Sequence, residues 1–209
     1  MATTDPIGAR SADAPRFGFG AGIADPGPLG LAGFAGTTFF LSAVNTHLLP
    51  ESVTGVVLGL ALFYGGLAQL LAGMWEFVKG NTFGATAFSS FGAFWLSYWF
   101  LVVHVAGGLK ASPGDIGNAL GVFLLVWTIF TAYMTVASLR VSLAVLAVFA
   151  ALTLTFLFLA LGNFQASVPL TKVGGWLGFV TAILAWYASF AAVTNATFKR
   201  IVLPVFPRA

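Results

Sequence analysis

Hydroxyl and amide side chains recur at helical spacing inside long apolar stretches of this sequence. Thr38, Ser42 and Asn45 follow one another at intervals of four and three residues, so on an α-helix they share one face. Such groups exchange hydrogen bonds with a small polar or anionic molecule, but they do not by themselves perform acid–base or nucleophilic chemistry. The spacing therefore predicts a polar path through an apolar structure. The alternative is local, because Ser and Thr in buried helices often bond to the carbonyl four residues earlier.

Later apolar stretches carry similar polar faces. One contains Thr82, Thr86, Ser89 and Ser90, and another contains Thr128, Thr131, Thr135 and Ser138. Amide side chains away from water are costly to leave unpaired, so each is expected to bind either a neighbouring helix or the solute. We predict that the path is lined by Thr38, Ser42, Gln69, Asn81, Thr82, Thr86, Ser90 and Asn163.

Charged side chains are nearly absent from the apolar stretches, where the exceptions, Glu51 and Glu76, lie at the margins. Ionisable residues at membrane depth usually mark proton relays, so a pump built on a buried carboxylate or lysine is disfavoured. No carboxylate pair, nucleophile–base pair or metal-ligand cluster can be assembled, so neither an enzyme nor a metal or cofactor site is expected. Glu76 and Lys79 are predicted to form a local ion pair on one helix face, with a role at the end of the path as the alternative.

Composition assigns the chain to a membrane. Hydrophobic residues make up 59% of the 209 residues and charged residues only 7%, against roughly 25% charged in soluble domains. The net charge of +3 is spread over scattered basic residues, so a nucleic-acid partner is not expected, whereas lipid is. The chain has no cysteine, which excludes disulfides and thiolate chemistry.

Six apolar segments are each close to the roughly 20 residues needed to cross a bilayer. They lie at residues 31–49, 53–76, 84–107, 116–138, 141–161 and 174–195. We therefore predict an all-α, polytopic membrane protein with six transmembrane helices. Residues 1–24 are predicted to be a disordered tail, residues 25–199 the membrane domain, and residues 200–209 a second tail.

Basic residues outside the spans orient the chain. Seven of them lie before the first span, after the last span and in the second and fourth loops, against two in the other loops, which predicts cytoplasmic termini and a multi-pass protein of the plasma membrane (cell inner membrane). The first and third helices then run outward, so His47 and His104 are predicted at the outer mouth. Their protonation would add positive charge there, and the alternative is that each bonds locally at the interface.

Glycines at four-residue spacing can bring helix backbones close together in lipid. The pairs are Gly55 with Gly59, Gly117 with Gly121, and Gly174 with Gly178. Packing within one chain is the first reading of any single pair, and a seam between copies is the second. Because six helices bury little surface, we still expect a homo-oligomer.

The stretch DPGPLGL at residues 25–31 resembles the NPAPLGL signature of the acetate uptake transporter family, also called the succinate/acetate permease or GPR1/FUN34/YaaH family. FYGGLAQLLAGMWEF at residues 63–77 and KGNTFGATAFSSFGAFW at residues 79–95 are similar to the next two blocks of that family. Asp25 stands where the family usually has asparagine. Pro28 suits a first helical turn, and Asp25 is close enough to cap it.

The resemblance implies a channel or transporter for acetate and related small carboxylates such as succinate, with proton linkage left open. It also implies a homo-oligomeric ring, a hexamer, and a pore constriction that aligns with Phe34, Phe91 and Leu152. Phe91 replaces the tyrosine of the family, so the phenol hydroxyl is missing. Two alternatives are an ammonia or ammonium channel or exporter, a role also proposed in the family, and a membrane sensor or scaffold without transport.

Overall fold

The computed structural model describes residues 22–208, which form six long helices. They are α1 (Gly27–Asn45), α2 (Glu51–Lys79), α3 (Thr82–Gly108), α4 (Pro113–Ser138), α5 (Leu143–Phe164) and α6 (Val168–Phe198). Each is long and apolar enough to cross a bilayer. No strand occurs within residues 22–208. The prediction of an all-α protein with six membrane helices is confirmed, whereas most of the predicted tail at residues 1–24 lies outside the described residues.

The predicted spans locate all six helices but misplace several ends. α6 begins at Val168 and not at residue 174, because Pro169 suits its first turn and Lys172 interrupts the apolar run without interrupting the helix. α1 begins at Gly27 and not at residue 31, and it ends at Asn45. Hydropathy reports the apolar length of a helix, and the helices here continue through their polar ends.

The start of α1 is set by its first few residues. Asp25 Oδ1 accepts a hydrogen bond of 3.1 Å from the Gly27 amide, which is one of the donors that a helix N-terminus leaves without a partner. Pro28 occupies the first turn, where its fixed φ is helical and its missing N–H is not needed. The predicted roles of Asp25 and Pro28 at this helix start are confirmed.

The helices form a ring in chain order. α1 packs against α2 on one side and α6 on the other, α5 packs between α4 and α6, and α2 packs on α3. α3 and α4 touch least among neighbours. The interior of the ring, which borders this thin contact, is where space for a small molecule remains.

Glycines allow three of these contacts to be close, as expected where lipid gives helices no hydrophobic reason to associate. Gly73 of α2 lies directly against Ser89 of α3, so a methyl group at residue 73 would collide with the serine. Gly178 of α6 lies in the same way against Ser42 of α1. Gly174 packs on Leu159 of α5. Small residues therefore hold α1, α2, α3, α5 and α6 at short distances.

Some of the predicted glycine pairs pack within the chain, and one pair is free to form a seam between copies. Gly174 and Gly178 pack inside the chain, as does Gly121, which lies against Phe164. A methyl group at Gly55 or Gly59 would meet nothing within 4 Å. The Gly55 and Gly59 face of α2 is therefore open in one copy of the chain.

Both ends of the described chain lie at one end of the bundle, which we call the basic end. Lys79, at the end of α2, pairs with Asp25 at 2.7 Å, and the Arg208 amide donates to the Val141 carbonyl in the loop between α4 and α5. The opposite end, which we call the far end, contains the ends of α1, α3 and α5. This arrangement agrees with an even number of spans.

Two helices widen locally into π-helix. In α2 this segment is Leu60–Ala68 and in α3 it is Leu101–Val105. A π turn holds more residues than an α turn, so it rotates the side chains that follow it relative to those before it. In α2 the residue that follows directly is Gln69, whose side chain is 1% exposed.

The segment after α6 folds back along the basic end. The carbonyls of Phe206 and Val205 accept hydrogen bonds from the Leu143 and Ala144 amides, at 2.9 and 3.3 Å, in the first turn of α5. Asn195 of α6 bonds to Leu203, donating through its amide nitrogen and accepting through its oxygen. These contacts give the first α5 amides partners that the helix itself does not offer.

Candidate functional site

A cavity of about 320 Å³ opens inside the far end of the bundle. Its wall comes mainly from α1, α3, α4 and α5 and is largely apolar, with Phe94, Leu120 and Leu159 among its residues. Within residues 22–208, no Asp, Glu, Lys, Arg or His lines it. We call this space the far-end cavity. It is large enough for a small organic molecule and holds such a molecule without a charge of its own.

The far-end cavity ends at Phe34 and Leu152. These two residues also border a second cavity of about 20 Å³, on the side toward the basic end, which we call the small cavity. Its volume is close to that of a single water molecule. Phe91 lines the small cavity, with its ring centroid 5.6 Å from that of Phe34. The structure thus brings Phe34, Phe91 and Leu152 together between the two cavities, and their role as a constriction stays a prediction.

Phe91 is tightly enclosed by other aromatic rings and is 3% exposed. The centroid of its ring lies 5.3 Å from that of Phe130 and 6.0 Å from that of Phe149. Phenylalanine rings neither donate nor accept a conventional hydrogen bond, so the space around Phe91 is apolar on the sides that these rings cover. A charged solute would have to lose its water here without compensation.

Three polar atoms near Phe34 and Leu152, two on one side and one on the other, have no hydrogen-bond partner within residues 22–208. Thr38 Oγ1 and Trp95 Nε1 belong to residues that line the far-end cavity, and Gln69 Oε1 belongs to a residue that lines the small cavity. Buried polar atoms are nearly always paired, and leaving one unpaired costs roughly 1–3 kcal/mol. Each atom is itself covered by protein, so a solute reaches it only when the side chains around it move. Trp95 is a pure donor, and Thr38 can donate or accept.

Two more predicted residues, Ser42 and Asn163, line the far-end cavity. Asn163 also donates through Nδ2 to the Leu159 carbonyl at 2.9 Å, which fixes its side chain in the last turns of α5. Thr155, which the sequence reasoning did not single out, lines the same cavity and bonds to Thr181 of α6 at 3.2 Å. The polar groups of the far-end cavity thus come from several helices.

The polar face predicted along α3 is not part of either cavity. Thr82 is exposed, and Thr86 and Ser90 are half-buried outside the far-end and small cavities. Asn81 caps α3, since its Oδ1 accepts from the Gly84 amide at 3.2 Å. A role for these four residues in the path stays a prediction.

The hydroxyls along α4 follow the local alternative. Thr128, Thr131 and Thr135 each donate to the carbonyl four residues earlier, and Thr135 also bonds to Thr153 of α5 at 2.9 Å. Ser138 bonds three residues back. None of these four residues lines the far-end or the small cavity, because α4 turns Leu120, Phe123 and Leu124 toward the interior instead.

His47 and His104 are both exposed at the far end and neither lines the far-end cavity. His47 has φ of 62°, a left-handed conformation that follows the end of α1. The His104 ring lies beside Trp99 and Phe100, with both centroid distances at 5.2 Å. Their predicted role at an outer mouth is not tested by this placement and stays a prediction.

The predicted ion pair between Glu76 and Lys79 is wrong. Lys79 reaches across to Asp25, and Glu76 instead turns into the bundle, where its side chain is 1% exposed and Oε2 accepts from Asn81 Nδ2 at 2.9 Å. Glu76 follows Gln69 by seven residues, two helical turns, so both lie on one face. The seven-residue spacing could have indicated that Glu76 is buried, whereas its position beside a loop suggested that Glu76 is exposed.

The described residues contain no group of three or more His, Cys, Asp or Glu side chains placed to hold a metal ion. Asp25 and Glu76 lie near each other, but each carboxylate already has a donor, Lys79 Nζ for Asp25 and Asn81 Nδ2 for Glu76.

Comparison with known proteins gives one consistent result. The profile of the GPR1/FUN34/yaaH family matches residues 19–208. The chain is 38% identical over 183 residues to the succinate-acetate/proton symporter SatP of Escherichia coli (strain K12), covering 88% of this chain and 95% of that protein. It is 44% identical over 187 residues to ammonia transport outward protein 2 of Saccharomyces cerevisiae, covering 88% of this chain. The match spans only 66% of the yeast protein's length.

Among solved structures, the bacterial acetate channel SatP has the same fold. It superposes with a TM-score of 0.82 at 38% sequence identity, covering 88% of this chain and 99% of that chain.

Proposed function

The chain belongs to the GPR1/FUN34/yaaH family, and from that premise we propose that it passes acetate and related small carboxylates, succinate among them, across the plasma membrane. It is a multi-pass membrane protein, and the bacterial relatives compared with it are named as a symporter and a channel. The observation that carries the proposal is the far-end cavity. It is uncharged, fits a small acid, and presents unpartnered donors beside an apolar neck.

The chemistry of that cavity suits a carboxylate that binds weakly and leaves quickly. Trp95 Nε1 and Thr38 Oγ1 offer hydrogen bonds to carboxylate oxygens, while the absence of a buried cation on the cavity wall in residues 22–208 avoids tight binding. Phe34 and Leu152 lie at the neck, where the solute either sheds its water or crosses as the neutral acid.

The test is exchange of labelled acetate in proteoliposomes, with protein-free liposomes measured in parallel because acetic acid leaks through lipid. Thr38→Val keeps the shape and removes the hydroxyl, and we expect exchange to fall by about five-fold, equivalent to one net hydrogen bond of about 1 kcal/mol. Thr131→Val is the matched control, since that hydroxyl bonds to the Trp127 carbonyl away from both cavities. Equal exchange in Thr38→Val and Thr131→Val would contradict the assigned binding site, and no exchange by the unmodified protein would contradict the function.

Ammonia or ammonium transport is the second candidate, because the yeast relative carries that name. Ammonium needs acceptors or aromatic faces, which Gln69 Oε1 and the phenylalanine rings at the cavities offer, whereas Trp95 Nε1 is a donor that suits only a carboxylate. Labelled methylammonium and labelled acetate should therefore be exchanged side by side, and we expect acetate alone to exchange faster than in protein-free liposomes.

We also propose that the protein is a homo-oligomer, a hexameric ring by family resemblance. The open face at Gly55 and Gly59 supports this, because small residues without a neighbour in one copy allow the backbone of another copy to approach. Gly59→Leu should then shift the mass measured in detergent toward the monomer, and an unchanged mass would exclude this face as the seam.

A further inference from the structure

Glu76 is a carboxylic acid enclosed at the basic end of the bundle, with 1% of its side chain exposed. Its Oε2 accepts one hydrogen bond from Asn81 Nδ2, which α3 contributes and which is neutral. Within residues 22–208, the charged side chains that act on it are Lys79 of its own helix and Asp25 in front of α1, and these two pair with each other at 2.7 Å. Lys79 therefore forms no ion pair with Glu76, although its charge still acts on the carboxyl group, and Glu76 is left able to bind and release a proton.

Opposing influences act on the charge of this carboxyl. Enclosure by protein disfavours the ionised form because water is excluded. The first turns of α1 and α3 favour it, since both helix N-termini carry partial positive charge and lie against Glu76. The contacts are close, because a methyl group at Gly27 would lie 3.5 Å from Glu76 Oε1 and one at Gly84 would lie 2.8 Å from its carboxyl carbon. The surroundings of Glu76 thus favour neither the protonated nor the ionised carboxyl group in all respects.

Unpartnered polar atoms lie at intervals between Glu76 and the small cavity. Gln69, Gly73 and Glu76 lie on one buried face of α2, where each residue rises about 1.5 Å along the axis. Ser89 Oγ lies against Gly73, so it sits roughly midway between the Gln69 and Glu76 side chains. Ser89 Oγ and Gln69 Oε1 both lack a hydrogen-bond partner within residues 22–208. Polar groups thus run from the acid to the space beside Phe34 and Leu152.

We propose that Glu76 is the proton-binding site that links proton movement to carboxylate transport, an inference that rests on the proposed function. The solute crosses the apolar neck as the neutral acid, for which no charge has to be desolvated. Beyond the neck its O–H bond breaks, the proton passes to the Glu76 carboxylate, and the solute leaves as its anion. Glu76 then releases the proton at the basic end, which regenerates its carboxylate for the next cycle.

Infrared spectroscopy tests proton binding without any transport. A difference spectrum of the purified full-length protein between about pH 8 and pH 5 should contain the carbonyl band of a protonated, enclosed carboxyl group. We expect Glu76→Gln to lose this band and Glu51→Gln, which changes an exposed carboxylate at the start of the same helix, to keep it. Identical difference spectra for the unmodified protein and Glu76→Gln would overturn the proposal.

Proteoliposomes test the coupling. Glu76→Gln retains an acceptor for Asn81, and the neutral acid can still cross the neck. We therefore expect slower acetate exchange at equal pH and a smaller acceleration by an inward proton gradient, because no carboxylate takes up the proton beyond the neck. Glu51→Gln should change neither. An acceleration as large in Glu76→Gln as in the unmodified protein would overturn the proposal, and so would complete loss of exchange in both Glu76→Gln and Glu76→Asp, because the residue would then be structural. No exchange by the unmodified protein would instead contradict the proposed function, and the infrared titration would still decide whether Glu76 binds a proton.

Discussion

Lys79 Nζ lies 2.7 Å from Asp25 Oδ1, across the contact between the start of α1 and the end of α2. Glu76 is one turn earlier on the same helix as Lys79 and would be the ordinary partner at that spacing. The same Asp25 oxygen also accepts a hydrogen bond from the Gly27 amide. The pair therefore ties two helix ends together and leaves Glu76 bonded to Asn81.

Removing the charge of Asp25 should change how Glu76 responds to pH. In Asp25→Asn, Lys79 loses its partner and becomes free to approach Glu76, which favours the ionised carboxylate. The midpoint of gradient-driven acetate uptake should then move to lower pH by roughly half a unit, since an exposed cation contributes less than about 1 kcal/mol. Uptake measured across a series of pH values checks this. The double variant Asp25→Asn, Lys79→Gln should return the midpoint toward its original value, and a midpoint that stays low would contradict the explanation.

Shortening Leu152 should widen the neck. Leu152→Ala removes side-chain volume between the far-end and small cavities, so the rate for lactate or succinate relative to acetate should rise by roughly ten-fold, or about 1.4 kcal/mol of barrier. Leu154→Ala is the control, because Leu154 is exposed on the outer face of the same helix. Unchanged selectivity in a well-folded Leu152→Ala protein would remove Leu152 from the constriction.

Restoring a hydroxyl at residue 91 should speed acetate. Gln69 lines the same small cavity, and its unpartnered Oε1 is a possible acceptor for the new phenol group. Phe91→Tyr should raise the rate by about five-fold, the effect of one net hydrogen bond of about 1 kcal/mol, with little change in thermal stability. Phe91→Tyr with Gln69→Leu should lose part of this gain. A lower rate or a loss of folded protein would mean that Phe91 only packs against its aromatic neighbours.

The histidines should contribute little to pH dependence. Both are exposed at the far end and neither lines the far-end cavity, so water and salt screen their charge from a solute inside. The uptake of the double variant His47→Gln, His104→Gln at fixed anion concentration should therefore stay within about two-fold of the unmodified protein from pH 5 to 8. A flattened profile would show that the histidines attract the anion at the mouth, as their position in the sequence suggested.

Much of the fold could be predicted because its causes are local. Apolar length defines a membrane span, and Pro28 with Asp25 defines a helix start, so both are visible in the sequence without knowledge of the partners. The ends of α6 could not be placed in the same way, since a helix continues through Lys172 at no cost once its side chain reaches water. The side of α4 that faces inward was also hidden, because hydroxyls that bond to their own helix look the same as hydroxyls that line a path.

The residues of the candidate site could be predicted where the family resemblance or the helical spacing of polar residues indicated them. Phe34, Phe91, Leu152, Thr38 and Gln69 come together in the structure, although they lie on four different helices. Trp95 was not predicted to line the path, and Glu76 was predicted to pair with Lys79 instead of being buried. A tryptophan in a membrane helix is usually an anchor or packing residue, and a glutamate next to a loop usually faces water. Their burial depends on neighbours from other helices, which no local pattern records.

The C-terminal segment imposes an order on assembly. Ribosomes make residues 202–208 only after α5 and α6, yet the carbonyls of Val205 and Phe206 are the partners of amides in the first turn of α5. Until that segment has been made, those amides must bond to water or lipid headgroups, and the join between α4 and α5 closes only afterwards. A change that stiffens or misplaces residues 202–208 would therefore act on a late step of insertion, after both helices have entered the membrane.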